Sequence, residues 1–207
     1  MSTPYQDAGR TGQKRRTFDA LVAAARESVA AGDTPTVDGT AAAAGVARST
    51  AYRYFPSQRE LLAAAHPETA RQSLLPPGAP EDPAGRLDAV VLEFTRLIVN
   101  TEAQQRTMLR LSLAPDPAEP ALPLRQGRAI AWIEEALRPL RGTMSGPEVR
   151  RLALAVRSAI GIEALVWLTD IGGLSREQAM ASMRWSAQAL LRHALVAGPP
   201  PATPAAS

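Results

Sequence analysis

The stretch Thr36 to Leu62, TVDGTAAAAGVARSTAYRYFPSQRELL, constrains this chain more than any other. A short alanine-rich run, Val37 to Ala44, ends at Gly45, the residue type that most easily takes the left-handed conformation a tight turn needs. Val46 is placed to tuck that turn against a core. A second short run, Arg48 to Tyr54, stops at Phe55-Pro56, because the residue before a proline avoids helical geometry. Ser57-Gln58-Arg59-Glu60 then fits a capping box for a further helix, which runs through Leu61 and Leu62 to about His66. Helix, glycine turn, helix and capped helix together form the layout of a helix-turn-helix, whose second helix enters a DNA major groove.

Helical spacing of apolar residues continues along the chain, with no sustained strand alternation. Phe18, Leu21, Val22, Ala25 and Val29 mark a first helix from about Gln13 to Ala31, stopped by Gly32-Asp33. The proline-rich Leu75 to Gly85 cannot be a helix interior and reads as a connection. Asp82 caps a fifth helix with Pro83 at its first position, and Leu87, Val90, Val91, Phe94, Leu97 and Ile98 give it an apolar face. Thr101 to Gln104 reads as a capping box opening a sixth helix that stops before Pro115, and a seventh covers about Leu124 to Leu137. Ser145-Gly-Pro-Glu148 opens a long eighth helix reaching about Asp170, where Gly172-Gly173 breaks it. Ser175 to Gln178 caps a ninth that ends near Ala197. The spacing thus predicts an all-α chain of about nine helices. Residues 1–66 would form the helix-turn-helix domain, 67–197 a second helical domain, and 198–207 a disordered tail with nothing to bury.

Composition narrows the function classes. No cysteine occurs among the 207 residues, so there is no thiolate metal site or thiol nucleophile. No uninterrupted apolar run approaches the roughly 20 residues of a membrane span. The N-terminal MSTPYQDAGRTGQKRR lacks the apolar core of a signal peptide, so a cytoplasmic protein without a membrane partner is expected. The two histidines, His66 and His193, stand outside any motif, and no metalloprotease helix, nucleophile elbow or phosphate loop is present. No catalytic residue, metal or cofactor is therefore expected, and the chain reads as not an enzyme.

The net charge of +3 is too small to identify a nucleic-acid binder. Its distribution is more suggestive: Arg10, Lys14, Arg15 and Arg16 cluster before the first helix, and Arg48, Arg53 and Arg59 follow with no acid until Glu60. Such clusters attract phosphate, or form an ordinary solvated face. Lys14 is the only lysine, so nearly all positive charge is guanidinium, which suits phosphate and guanine contacts.

On a helical wheel for Arg48 to Phe55, Ala51 and Phe55 fall inward, while Ser49, Thr50 and Arg53 fall outward. Ser49 and Thr50 sit at the N-terminal end, which contacts base edges in this motif. Their hydroxyls can donate or accept, and a threonine methyl can meet a thymine methyl. Arg53 can reach a guanine edge or a phosphate. The hydroxyls of Tyr52 and Tyr54 suit phosphate oxygens. Arg48, Gln58, Arg59, Lys14 and Arg15 complete the expected DNA-binding set.

One such module contacts too little DNA for tight binding, so dimerisation on paired half-sites of double-stranded operator DNA is expected. From Leu152 to Leu168 the only charges are Arg157 and Glu163. A helix apolar on nearly every side must be covered on more than one face. Small residues Ala153, Ala159, Gly161 and Ala164 permit close approach, and Ala179, Met183, Ala187, Leu190 and Ala194 form a matching stripe on the ninth helix. A homodimer through the last two helices, or a plain monomer core, would satisfy this pattern.

Residues 13 to 65 resemble the DNA-binding region of TetR-family transcriptional regulators. The likeness is carried by Ala43-Ala44-Gly45-Val46, Arg48-Ser49-Thr50 and Tyr52-Arg53-Tyr54-Phe55-Pro56-Ser57. It implies a phosphate contact for Tyr52 and a core position for Phe55. It also implies a phosphate-binding lysine near the start of the fourth helix, where this chain has Gln58; Gln58 can donate a neutral hydrogen bond, or Arg59 can substitute. Thr40 and Ala51 stand where the family has larger side chains. The resemblance further implies pairing of the last two helices in a four-helix bundle and an unidentified small-molecule effector among helices five to eight. Phe94, Met108, Leu111, Trp132, Ile133, Ile160 and Trp167 can line such a site or be plain core, with Arg157 and Glu163 as polar anchors or as a pair across the dimer.

The expected function is a ligand-responsive DNA-binding regulator, most often a repressor in this class. A helical dimer acting through protein interaction with a weakened DNA module is the alternative, and a small helical enzyme is a third possibility without positive support.

Overall fold

The computed structural model describes residues 4–31, 33–65, 71–113 and 127–202, with side chains from Gly12 onward except that of Leu111. All regular structure among them is helical. The chain divides into two compact units: residues 1–69 with 103–126, and residues 70–102 with 127–207. This division differs from the boundary expected at residue 66, because the segment from Ala103 belongs with the N-terminal unit.

The first unit contains α1 (Pro4–Ala30), α2 (Val37–Ala43), α3 (Arg48–Tyr54), α4 (Gln58–Ala65) and nearly all of α6 (Glu102–Leu113). Its core is Leu21, Val22 and Ala25 of α1, Val37 and Ala41 of α2, Ala51 and Phe55 at α3, and Leu61 and Ala65 of α4. These are the positions that helical spacing turns to one side. A second small cluster joins Val29, Leu62 and Met108. Arg26 Nε and Gln104 Nε2 both donate to the Ala65 carbonyl, at 3.0 and 2.6 Å, and so satisfy a C-terminal carbonyl of α4 that has no partner within its helix.

Two local expectations change here. α1 begins at Pro4 rather than Gln13, so Lys14, Arg15 and Arg16 ride on the helix instead of preceding it. The Arg10 side chain, and His66, lie outside the described residues. The capping box expected at Thr101 does not form. The Thr101 hydroxyl donates back to Leu97 O at 2.6 Å, and the Gln104 amide is engaged by Ala65.

The second unit contains α5 (Pro83–Asn100), α7 (Arg128–Ala136), α8 (Gly146–Ala159), α9 (Ile162–Val166) and α10 (Arg176–Ala197). Asp82 caps α5 by accepting from Gly85 N at 2.8 Å, with Pro83 in the first turn, as the sequence predicts. α10 packs on α5 and α8, and α7 packs on both of those helices. Phe94, Trp132, Leu152, Val156, Met183 and Leu191 are among the buried side chains that fill the space between them. Arg184 grips Asp88 from α10 to α5 with three contacts of 2.7 to 3.1 Å.

The long eighth helix is broken. α8 ends at Ala159, Ile160 is extended, and Gly161 takes φ 124° before α9 starts. A short π-helical turn, Trp167–Ile171, then leads to the glycines. Gly146–Ile171 as a whole has the length and apolar character of a membrane span, which the run-length reading did not register because Arg157 and Glu163 interrupt it. In the structure Val149, Leu152, Ala153 and Val156 of that stretch are buried among neighbouring helices.

The start of the tail also departs from expectation. Pro200 O accepts from Arg151 Nε at 2.6 Å, and Gly198 to Pro201 line a groove with Leu152, Ala155, Leu190 and His193. Consecutive prolines lose little backbone freedom on docking, so few contacts suffice to hold them. Residues 203–207 lie outside the described residues.

Candidate nucleic-acid interface

The turn between α2 and α3 is set by Gly45. Its φ is 63°, and a Cβ there would meet no neighbour, so backbone conformation alone calls for glycine. Gly45 N donates to Ala42 O and Val46 N to Ala41 O, at 3.2 and 2.9 Å. This pair of bonds is a Schellman ending. Val46 accompanies it by packing on the core. At the other end of α2, Thr36 Oγ1 accepts from Gly39 N at 3.0 Å.

α3 is thereby projected with two distinct faces. Ala51 and Phe55 are buried, Ser49, Tyr52 and Arg53 are exposed, and Thr50 is half-buried. The two tyrosines are not equivalent. Tyr52 is open to solvent, whereas Tyr54 is half-buried with its ring 6.5 Å from that of Phe18. Phe18 also stands 5.2 Å from Phe55. It is 38% exposed rather than fully inside, because it caps the aromatic end of α3 from the rim.

The charged members of the expected set fall in different places. Lys14 and Arg15 are exposed on α1, and Arg15 reaches Asp19 at 3.9 Å, a weak surface pair. Arg48 is not free: its Nε lies 2.8 Å from Asp38 Oδ1, and its guanidinium carbon sits 5.7 Å from the centre of the Tyr52 ring. Arg59 is half-buried in the first turn of α4. Gln58 is engaged within the module. Its Nε2 donates to Pro35 O at 2.7 Å and ties α4 to the segment entering α2. Sequence places Phe18 only on the apolar face of the first helix and does not single out Asp38 or Pro35; Asp38, an acid in the first turn of α2, carries a signal and Pro35 none.

The expected effector residues separate into three groups. Phe94, Trp132, Arg157 and Ile160 meet in the second unit: the Phe94 and Trp132 rings are edge-to-face at 6.1 Å, and the Arg157 guanidinium carbon is 5.5 Å from the Phe94 centre. Ile133 is buried beside them on α7. Arg157 Nη1 also donates to Ile160 O at 2.7 Å and lies 3.4 Å from Glu163 Oε2. Glu163 and Trp167 face outward, along a groove of about 350 Å³ that Ser158, Ala164, Ser182 and Ser186 also line. Met108 packs in the first unit with Val29 and Leu62. The Leu111 side chain is outside the described residues.

The matching stripe on the last helix is also revised. Ala179, Met183, Ala187 and Ala194 are buried within the subunit, with Leu191 rather than Leu190 in line. Among the described residues of the second unit, the exposed large apolar side chains are instead Leu154, Trp167, Ile171, Trp185, Leu195 and Val196.

Comparison with known proteins agrees with this geometry. The family model for bacterial regulatory proteins of the tetR family matches residues 20–65, the segment that holds the Gly45 turn and α3. No curated protein matches the chain. The fold resembles the crystal structure of a TetR transcriptional regulator from Rhodococcus sp. RHA1, with a TM-score of 0.58 and 21% identity, covering 87% of this chain and 98% of that one. Residues 20–65 thus carry a module that matches the tetR family of bacterial regulatory proteins, and the chain shares its fold with a solved TetR transcriptional regulator.

Proposed function

We propose that the protein is a homodimeric repressor that reads operator DNA with α3 and releases it when a small molecule binds the second unit. The exposed face of α3 carries this reading: Ser49, Tyr52 and Arg53 stand out from a helix whose other side is locked by Ala51 and Phe55. The N-terminal hydroxyls suit base edges, Arg53 suits guanine or phosphate, and Tyr52 suits phosphate. Lys14 and Arg15 add positive charge from α1. Gln58 is assigned to the module's interior in this reading because it donates to Pro35, and Tyr54 to packing on Phe18.

The exposed Trp167, Ile171, Trp185 and Val196 support a dimer through the last helices, since a lone subunit rarely leaves so many large apolar groups in water. For the effector, Arg157 between Phe94 and Glu163 is the polar group that an otherwise apolar region offers to a ligand. Release would follow from population shift: a ligand that prefers one spacing of the two α3 helices displaces DNA that prefers another. Such work on DNA belongs in the cytoplasm.

A mobility-shift assay with DNA flanking the gene tests the reading. Specific, salt-sensitive retardation is expected, and retardation no stronger than with scrambled duplex would refute it.

A further inference from the structure

Asp38 and Arg48 meet where α2 and α3 adjoin. The 2.8 Å approach is between Arg48 Nε and Asp38 Oδ1, yet that oxygen is buried and receives no well-directed hydrogen bond among the described residues. The contact is therefore ionic rather than directional, and it holds the guanidinium without consuming its N–H groups. On the other side, the guanidinium lies against the Tyr52 ring. The pair lies near the surface, with the Arg48 side chain 73% and the Asp38 side chain 44% exposed, so the carboxylate and the aromatic face together bias this long side chain at the start of the exposed helix rather than lock it.

A carboxylate beside a DNA-reading helix weakens attraction to phosphate, so its presence works against general affinity. What it offers in exchange is position. An approach through Nε leaves the terminal Nη1–Nη2 edge of Arg48 for a nucleic-acid acceptor, and that edge matches the O6 and N7 acceptors of guanine in the major groove. Biasing the side chain before binding reduces the ordering cost at the moment of contact.

We propose that Asp38 is a positioning residue for specificity: it presents Arg48, backed by Tyr52, to a guanine in the major groove, and lowers affinity for DNA of arbitrary sequence. The inference rests on α3 being the DNA-reading helix. A purely structural role for Asp38, as an acid near the N-terminus of α2, would alter stability and would change all DNA binding in proportion.

The test uses the full-length protein, a duplex that the native protein selects from a random-sequence library, the single-base variants of that duplex, and a scrambled control. Asp38→Asn is expected to lower the preference for guanine at one position about tenfold. Binding to the scrambled duplex should hold or rise, with little change in melting temperature. Arg48→Ala should lose the preference at the same position, and the double variant should lose no more than Arg48→Ala alone. Equal loss of specific and scrambled binding in Asp38→Asn, or native preferences at every position, would overturn the proposal. Absence of any sequence preference in the native protein would instead overturn the DNA-reading role of α3, and this inference with it.

Discussion

Gln58 donates its side-chain amide to the Pro35 carbonyl at 2.7 Å, joining the first turn of α4 to the segment that enters α2. A position that the family resemblance assigned to a phosphate-binding cation is here an internal strut. Replacing Gln58 by alanine leaves the Pro35 carbonyl without this partner in a partly buried setting. A loss of about 1 kcal/mol in unfolding free energy is expected, read from denaturant midpoints. The salt dependence of DNA binding should not change, because no phosphate contact is removed. A flatter salt dependence in Gln58→Ala would place the side chain on the DNA instead.

Thr40 is buried on α2, and its hydroxyl has no hydrogen-bond partner among the described residues. Valine has nearly the same shape without the unmet polar group. Thr40→Val should therefore stabilise the protein by about 1 kcal/mol, seen as a higher denaturant midpoint at unchanged slope. A destabilised variant would mean that the hydroxyl has a partner, such as a bound water.

Trp185 is 68% exposed on α10 and Trp167 is 61% exposed near the end of the preceding helical segment. If these rings form the centre of the dimer contact, Trp185→Arg should weaken association by about 2 kcal/mol or more. Sedimentation velocity should show a shift toward monomer at dilution, with weakened binding to a two-half-site duplex. An unchanged dimer would move the interface elsewhere on the molecule.

Glu148 accepts from the Ser145 backbone N–H and from the Ser145 hydroxyl, at 2.8 and 2.7 Å, where α8 begins. Those bonds, the backbone one first, favour the charged carboxylate and hold its pKa below the ordinary 4.5. A depressed carboxylate stabilises the fold above its unfolded pKa and loses that contribution as pH falls through the lower folded value. Glu148→Gln should thus be less stable than the native chain near neutral pH, with the gap closing as the medium becomes more acidic than the carboxylate range. A gap independent of pH would show that charge is not what the cap uses.

The two units were not equally legible from sequence. In the first, local chemistry writes the structure: Gly45 can only be a turn, Pro56 can only end a helix, and Ala51 and Phe55 share a side by helical spacing. The contacts that refine the site are not local. Pro35 and Asp38 face Gln58 and Arg48 only after α2 has folded against its neighbours, so no spacing rule announces them. In the second unit, apolar residues surround the helices and periodicity cannot say which side a partner covers. Periodicity therefore points to Leu190 in the stripe that Leu191 occupies. The break after Ile160 was hidden for a related reason. Gly161 looks like a packing glycine in an apolar run, but a side chain at that position would collide with the Arg157 guanidinium, and its φ of 124° is closed to other residues.

The claim that α3 reads DNA is tested most directly by sequence-specific binding of the full-length chain, native and with Tyr52→Ala or Arg53→Ala, measured against salt. Native protein should prefer one flanking duplex over its scrambled counterpart, with affinity falling steeply as salt rises. Arg53→Ala should lose preference at one base position if it reads guanine, or flatten the salt dependence if it holds phosphate, and Tyr52→Ala should weaken every duplex through its lost phosphate contact, the selected one most because the ring also backs Arg48. Native-like binding by both variants would contradict the account.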